Sequence, residues 1–79
     1  MKRDTLKRFV EIDITFAKNN NVITEYEMYE ENNDVWAIVK DRRGKKWCIG
    51  PFHTNLKQDS VIRILNDKLE ILRRKNKEN

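Results

Sequence analysis

The segment FVEIDITF, residues 9–16, has the clearest periodicity in the chain. Its even positions are apolar and the residues between them are polar, an alternation typical of a β-strand that buries one face. We therefore predict a first strand at about residues 9–17. Its buried positions would be Val10, Ile12, Ile14 and Phe16.

A second alternating segment, VITEYEMYE at residues 22–30, follows the asparagine-rich stretch at 17–21. Asparagine favours turns because it tolerates left-handed backbone and hydrogen-bonds to its own main chain. In the second segment, the positions of Tyr26 and Met28 make the better apolar face. Pairing the two strands on these apolar positions predicts an acidic face on the other side of the sheet. It consists of Glu11, Asp13, Glu25 and Glu27.

The remaining residues predict two more strands and a helix. The nearly continuous apolar run VWAIVK predicts a central strand at about 35–41, covered at least in part on both faces. After the turn DRRGKK, a fourth strand at 46–49 is expected to end at Gly50 and Pro51. Apolar positions then step by three and four, which predicts an amphipathic helix at about 57–74. The predicted fold class is α+β, a four-stranded antiparallel meander with this helix packed on one face.

The length and charge distribution are typical of one small domain with distinct surfaces. The 79 residues predict a single domain, with a basic N-terminal arm at 1–8 and a frayed polar tail at 75–79. The net charge of +4 is divided into +3 before residue 9, −6 over 9–39, +4 over 40–53 and +3 beyond. Such zoning can present an acidic and a basic surface to different partners.

Several classes of protein lack support in the sequence. There is no apolar run near the roughly 18 residues of a membrane span and no apolar signal-peptide core, so we expect a cytoplasmic protein. Cys48 is the only cysteine, which excludes an internal disulfide. Phosphate-binding loops, dinucleotide fingerprints and metal-ligand spacings are absent, so we predict no cofactor, no metal site and no catalytic residue. Frequent Asn, Lys and Ile suggest an AT-rich genome, such as that of a low-GC bacterium or one of its phages.

The predicted acidic face has two main interpretations. It is a solvated surface, partly neutralised by Lys18 or the N-terminal arm, or it is a docking surface that steers a basic protein partner. Metal binding or acid–base chemistry is disfavoured, because the face would be open and flat with nothing to exclude water.

The basic hairpin KDRRGKKW, residues 40–47, is the second candidate site. Its cations can contact phosphates while its tryptophan stacks on a base, helped by the N-terminal arm and residues 73–75. Alternatively the hairpin tip is a solvated turn and the tryptophan belongs to the core. The nucleic-acid interpretation involves Arg42, Arg43, Lys45, Lys46 and Trp47.

These features favour a non-enzymatic regulatory or adaptor-type protein that binds a partner protein through the acidic face, the basic hairpin or both. A phage- or mobile-element-encoded modulator of a host factor would fit this size and charge distribution. The alternative is a single-stranded DNA- or RNA-binding protein that uses the basic hairpin. The apolar stripe of the helix is also compatible with a homodimer.

Overall fold

The computed structural model describes residues 1–77, which form two helices and one three-stranded antiparallel sheet. The predicted α+β class is confirmed. The predicted four-stranded meander is wrong, because its first strand is a helix. In chain order the elements are α1 (Arg3–Asn19), β1 (Glu25–Glu31), β2 (Asp34–Lys40), β3 (Lys46–His53) and α2 (Gln58–Lys77).

Helix α1 contains the segment predicted as a strand at 9–17 and most of the predicted arm at 1–8. Val10 and Ile14 are buried and four residues apart, so they satisfy both a period of two and a helical period. Ile12 and Phe16 complete the alternation but remain 62% and 68% exposed. The strand prediction failed because half of the alternating apolar positions do not face the core. The side chains that α1 buries are Leu6, Val10, Ile14 and Ala17.

The sheet has one face covered by both helices and one open face. Strand β2 lies between β1 and β3, α1 packs on β1 and β2, and α2 packs on β3. Val35, Ala37 and Val39 of β2 are fully buried under the helices, whereas Trp36 and Ile38 are half-buried on the other side. Within residues 1–77 the helices therefore cover β2 on one face only, and the partial cover predicted for the second face amounts to the half-burial of Trp36 and Ile38. The open face carries Glu25, Glu27, Tyr29, Trp36, Ile38, Lys40, Lys46 and Cys48.

The strands also differ in length from the prediction. Strand β1 begins three residues later than the predicted 22–30, and β3 continues through Gly50 and Pro51 instead of ending at residue 49. A β-bulge sets these two residues opposite Trp36, where the register shifts. Pro51 is tolerated because β3 is an edge strand. Gly50 has φ +111°, and a Cβ there would lie 3.1 Å from the Cβ of Trp36.

Helix α2 extends three residues beyond the predicted end at 74 and so includes residues 75–77 of the predicted tail. Residues 78–79 of that tail lie outside the described residues. Val61, Leu65 and Leu72 are buried, whereas Ile64 and Ile71 on the same helix are 37% and 43% exposed. Neither helix in the described part of the chain is long and apolar enough to cross a membrane.

Candidate functional site

The turn between β2 and β3 is built around the buried carboxylate of Asp41. One carboxylate oxygen accepts hydrogen bonds from the backbone N–H groups of Arg43, at 2.8 Å, and Lys45, at 2.9 Å. The other accepts the indole N–H of Trp47 at 3.0 Å. Gly44 takes the left-handed backbone of the turn, with φ +83°. The indole hydrogen bond, supported by the two backbone bonds, lowers the pKa of Asp41 although burial opposes this.

This turn contacts the C-terminal end of α2 through two hydrogen bonds. The guanidinium of Arg43 donates to the backbone oxygen of Lys75 at 2.9 Å. The backbone N–H of Arg42 donates to the side-chain oxygen of Asn76 at 3.3 Å. Asn76 in turn donates from its amide to the backbone oxygen of Val22, just after α1, at 2.8 Å. Asn76 therefore links the turn to the ends of both helices.

The contact joins two basic segments that are distant in sequence. Four cationic side chains come from residues 42–46 and four from residues 73–77. Lys18, in the last turn of α1, lines a surface depression together with Arg42. We call the two joined segments the basic end, which comprises Arg42, Arg43, Lys45, Lys46, Arg73, Arg74, Lys75 and Lys77.

The positive charge of the basic end exceeds what the local structure neutralises. Arg73 and Arg74 both pair with Glu70, at 3.1 Å and 3.5 Å, but all three side chains are about half exposed or more. The C-termini of the two helices lie here and contribute about −0.5 each. Among the described residues, the seven cations other than Lys75 face the carboxylates of Glu70 and Asp41 and two helix ends, which leaves a surplus of about four positive charges. Neutralising the helix dipoles therefore accounts for only a small part of the cluster.

The predicted acidic face is not a single surface, because two of its four carboxylates lie on α1. Glu11 accepts a hydrogen bond from the hydroxyl of Tyr26 at 3.0 Å. Asp13 is half-buried in a groove that Leu69 and Arg73 of α2 also line. Burial raises the pKa of Asp13. Glu11 therefore lies between α1 and β1, and Asp13 lies between α1 and α2, so neither belongs to a face of the sheet.

The other two carboxylates do lie side by side on the open face. Glu25 pairs with the ammonium of Lys40 on the neighbouring strand at 3.4 Å. Glu27 accepts a hydrogen bond from the hydroxyl of Tyr29. The structure thus brings together Glu25 and Glu27, and each of them already has a partner within the sheet.

Trp47 remains beside Lys45 but lies on the other face of the sheet from Lys46. It lies opposite Val39 on the helix-covered face, whereas its neighbour Lys46 lies on the open face. Its indole N–H is bound by Asp41, and the ammonium of Lys45 lies 4.5 Å from the ring centroid. These contacts and its packing against the core hold Trp47 in a structural position.

Sequence reasoning missed an aromatic pair on the open face. Tyr29 and Trp36 are opposite each other on β1 and β2. Their rings stack with centroids 5.8 Å apart and planes inclined by 12°. The signal was present, because a tight turn centred on Asn32 and Asn33 sets residue 29 opposite residue 36.

No three His, Cys, Asp or Glu side chains within residues 1–77 are clustered closely enough to hold a metal ion. Cys48 is an exposed free thiol. Comparisons of the chain with protein-family models, curated proteins and solved structures find no match.

Proposed function

We propose that this domain is a non-enzymatic nucleic-acid-binding module whose basic end contacts the phosphate backbone. One observation carries the proposal: hydrogen bonds from Arg43 to Lys75 and from Arg42 to Asn76 join two basic segments into one surface. A structural role alone does not require eight cations at one end of so small a protein.

The charge surplus supports phosphate binding in a specific way. Cations that neutralise phosphates release condensed counterions, and this release drives binding that weakens as salt increases. The side chains of the basic end are exposed at positions 42–46 and 73–75. Backbone contacts of this kind position a nucleic acid without reading its sequence.

Partner-protein binding is the second candidate function, and one observation favours it. Ile12 and Phe16 lie one turn apart on α1 and are 62% and 68% exposed. Exposed aromatic and aliphatic side chains at this spacing are used when one helix packs into the groove of another protein. A regulatory or adaptor protein would use this surface rather than the dispersed acidic face.

A charge-reversal experiment tests the nucleic-acid proposal. The variant Arg42→Glu/Lys77→Glu changes one residue in each half of the basic end. The control Lys57→Glu/Arg63→Glu makes the same change in net charge about 20–30 Å away along α2. With labelled oligonucleotides at low salt, we expect the first variant to lose affinity by about tenfold or more and the control to lose much less.

Two results would overturn the proposal. If the wild-type protein binds no oligonucleotide at low salt, the basic end does not bind nucleic acid. If both variants lose affinity equally, net charge rather than the basic end determines binding. Circular dichroism of both variants checks that the fold is retained.

A further inference from the structure

The open face of the sheet continues from the basic end toward the aromatic pair. At the end nearest the turn, Lys40 of β2, whose ammonium also pairs with Glu25, lies opposite Lys46 of β3. The next residues on this face are Ile38 and Cys48, again opposite each other. Trp36 follows on β2, with Tyr29 stacked against it from β1. A track along β2 and β3 therefore runs from two cations to an aromatic platform.

The track has a length suited to a short piece of nucleic-acid strand. Lys40 and Trp36 are four residues apart on β2, which corresponds to about 13 Å at roughly 3.3 Å per residue. A stacked nucleic-acid strand advances about 3.4 Å per phosphate, so the track spans about four nucleotides or fewer if the strand is stretched.

Trp36 has an aromatic neighbour on one side and the bulge of β3 on the other. Tyr29 supports the indole on the β1 side. On the β3 side, the bulge sets Gly50 and the exposed Pro51 opposite Trp36, and Gly50 has no side chain to cover the indole. A base can stack on an aromatic ring in such a position, and this stacking tolerates any base sequence.

The charges beside the track favour one path for a bound nucleic-acid strand. Glu25 and Glu27 lie along β1, where they repel phosphates, whereas Lys46 lies on β3. A phosphate backbone is therefore directed to the β2–β3 side. Bases within a duplex are already stacked and cannot reach a flat platform, so this arrangement selects unpaired strands.

We propose that the open face binds the bases of single-stranded nucleic acid, with Trp36 stacking on a base while Lys40 and Lys46 contact the backbone. This inference rests on the proposed function and adds the class of ligand, single strands rather than duplexes. The binding energy then has two separable parts, one from phosphates and one from bases.

The test compares two strands of equal length, a normal single-stranded oligonucleotide and an abasic one that keeps the phosphates. We expect the wild-type protein to prefer the normal strand. Trp36→Leu should lower affinity for the normal strand by about 5- to 150-fold, the equivalent of one lost base stack. The same variant should bind the abasic strand as the wild type does, and Trp36→Phe should recover part of the loss.

The outcomes distinguish this inference from the proposed function. If Trp36→Leu binds the normal strand as tightly as the wild type does, in a salt-dependent way, the platform is refuted and phosphate binding stands. If the wild type binds neither strand, the proposed function also fails. If Trp36→Leu instead abolishes a concentration-dependent dimer seen by sedimentation and leaves strand binding intact, the open face binds a second copy and the inference is wrong. Thermal unfolding of each variant confirms that it is folded.

Discussion

Replacing Asp41 tests whether one buried carboxylate builds the turn that carries half of the basic end. Asp41 is 2% exposed, and it accepts hydrogen bonds from the backbone of Arg43 and Lys45 and from the indole of Trp47. Asp41→Asn keeps the side-chain shape and one acceptor oxygen for the two backbone bonds. The new amide NH₂ group, however, faces the indole N–H, so that two donors meet.

The expected loss of stability follows from these three bonds. A donor left without an acceptor costs about 1–3 kcal/mol, which is the expected decrease for Asp41→Asn. Asp41→Ala removes both acceptor oxygens and so all three hydrogen bonds, but water reaches the two exposed turn residues, so we expect a loss of about 2–4 kcal/mol. A 79-residue domain has a free energy of unfolding of only about 4–12 kcal/mol. Either change should therefore be readily measurable.

The pH dependence provides a second check on the same carboxylate. The indole hydrogen bond lowers the pKa of Asp41 in the folded state. The ionised carboxylate therefore stabilises the fold in full at any pH above the pKa that Asp41 has in the unfolded chain. The stabilisation is lost as the pH falls from about 4 through the lowered pKa. Urea unfolding of the wild type and Asp41→Asn should therefore differ at pH 7 and converge toward pH 2.

Two results would refute this account of the turn. One is an Asp41→Asn variant as stable as the wild type at pH 7, and the other is a difference in stability that does not change with pH. Asp67→Asn, an exposed position on α2, is the control and should change stability by no more than about 0.5 kcal/mol at pH 7.

Three further predictions concern the fold. Asp13→Asn should raise the melting temperature at pH 7, because burial raises the pKa of Asp13 and makes its charge unfavourable in the folded state; a lower melting temperature would contradict this. Ile14→Ala should cost about 2–5 kcal/mol and Phe16→Ala at most about 0.5 kcal/mol in urea unfolding. Equal losses would contradict the helix and favour a strand. Gly50→Ala should cost about 1–3 kcal/mol, since its backbone has positive φ and a Cβ would press on Trp36; an unchanged urea midpoint would show that the bulge tolerates a side chain.

The parts of the fold that the sequence predicts well are those with strong local signals. Both hairpin turns contain residues with positive φ, Asn32 at 55° and Gly44 at 83°, and such residues are recognisable from sequence. Helix α2 was predictable because its apolar positions fit only a helical period. Its end was misplaced by three residues because a polar last turn resembles a frayed tail.

Helix α1 was not predictable by the same reasoning, because its sequence fits two periods. Val10 and Ile14 are compatible with a strand or a helix, and exposed Ile12 and Phe16 favour the strand. Leu6 and Ala17 complete the helical face, but they lie outside the alternating segment. Only the packing of α1 against the sheet decides between the two periods.

The candidate site was half predictable for a related reason. The cations of the turn are adjacent in sequence, so their clustering is evident. Their contact with the end of α2 depends on Arg43 and Asn76, whose partners lie more than 30 residues away. The predicted acidic face required Glu11 and Asp13 to lie on a strand. Because both residues lie on α1, the four carboxylates do not form one face.

The dependence of single-stranded oligonucleotide affinity on salt tests the central claim most directly. Each phosphate neutralised on a single strand contributes a slope of about −0.7 to log K against log salt. If about half of the eight cations contact phosphates, the wild type should show a slope of about −3. Arg42→Glu/Lys77→Glu should make this slope shallower by about 1 to 2. A slope near zero, or the same slope in the variant as in the wild type, would contradict phosphate binding at the basic end.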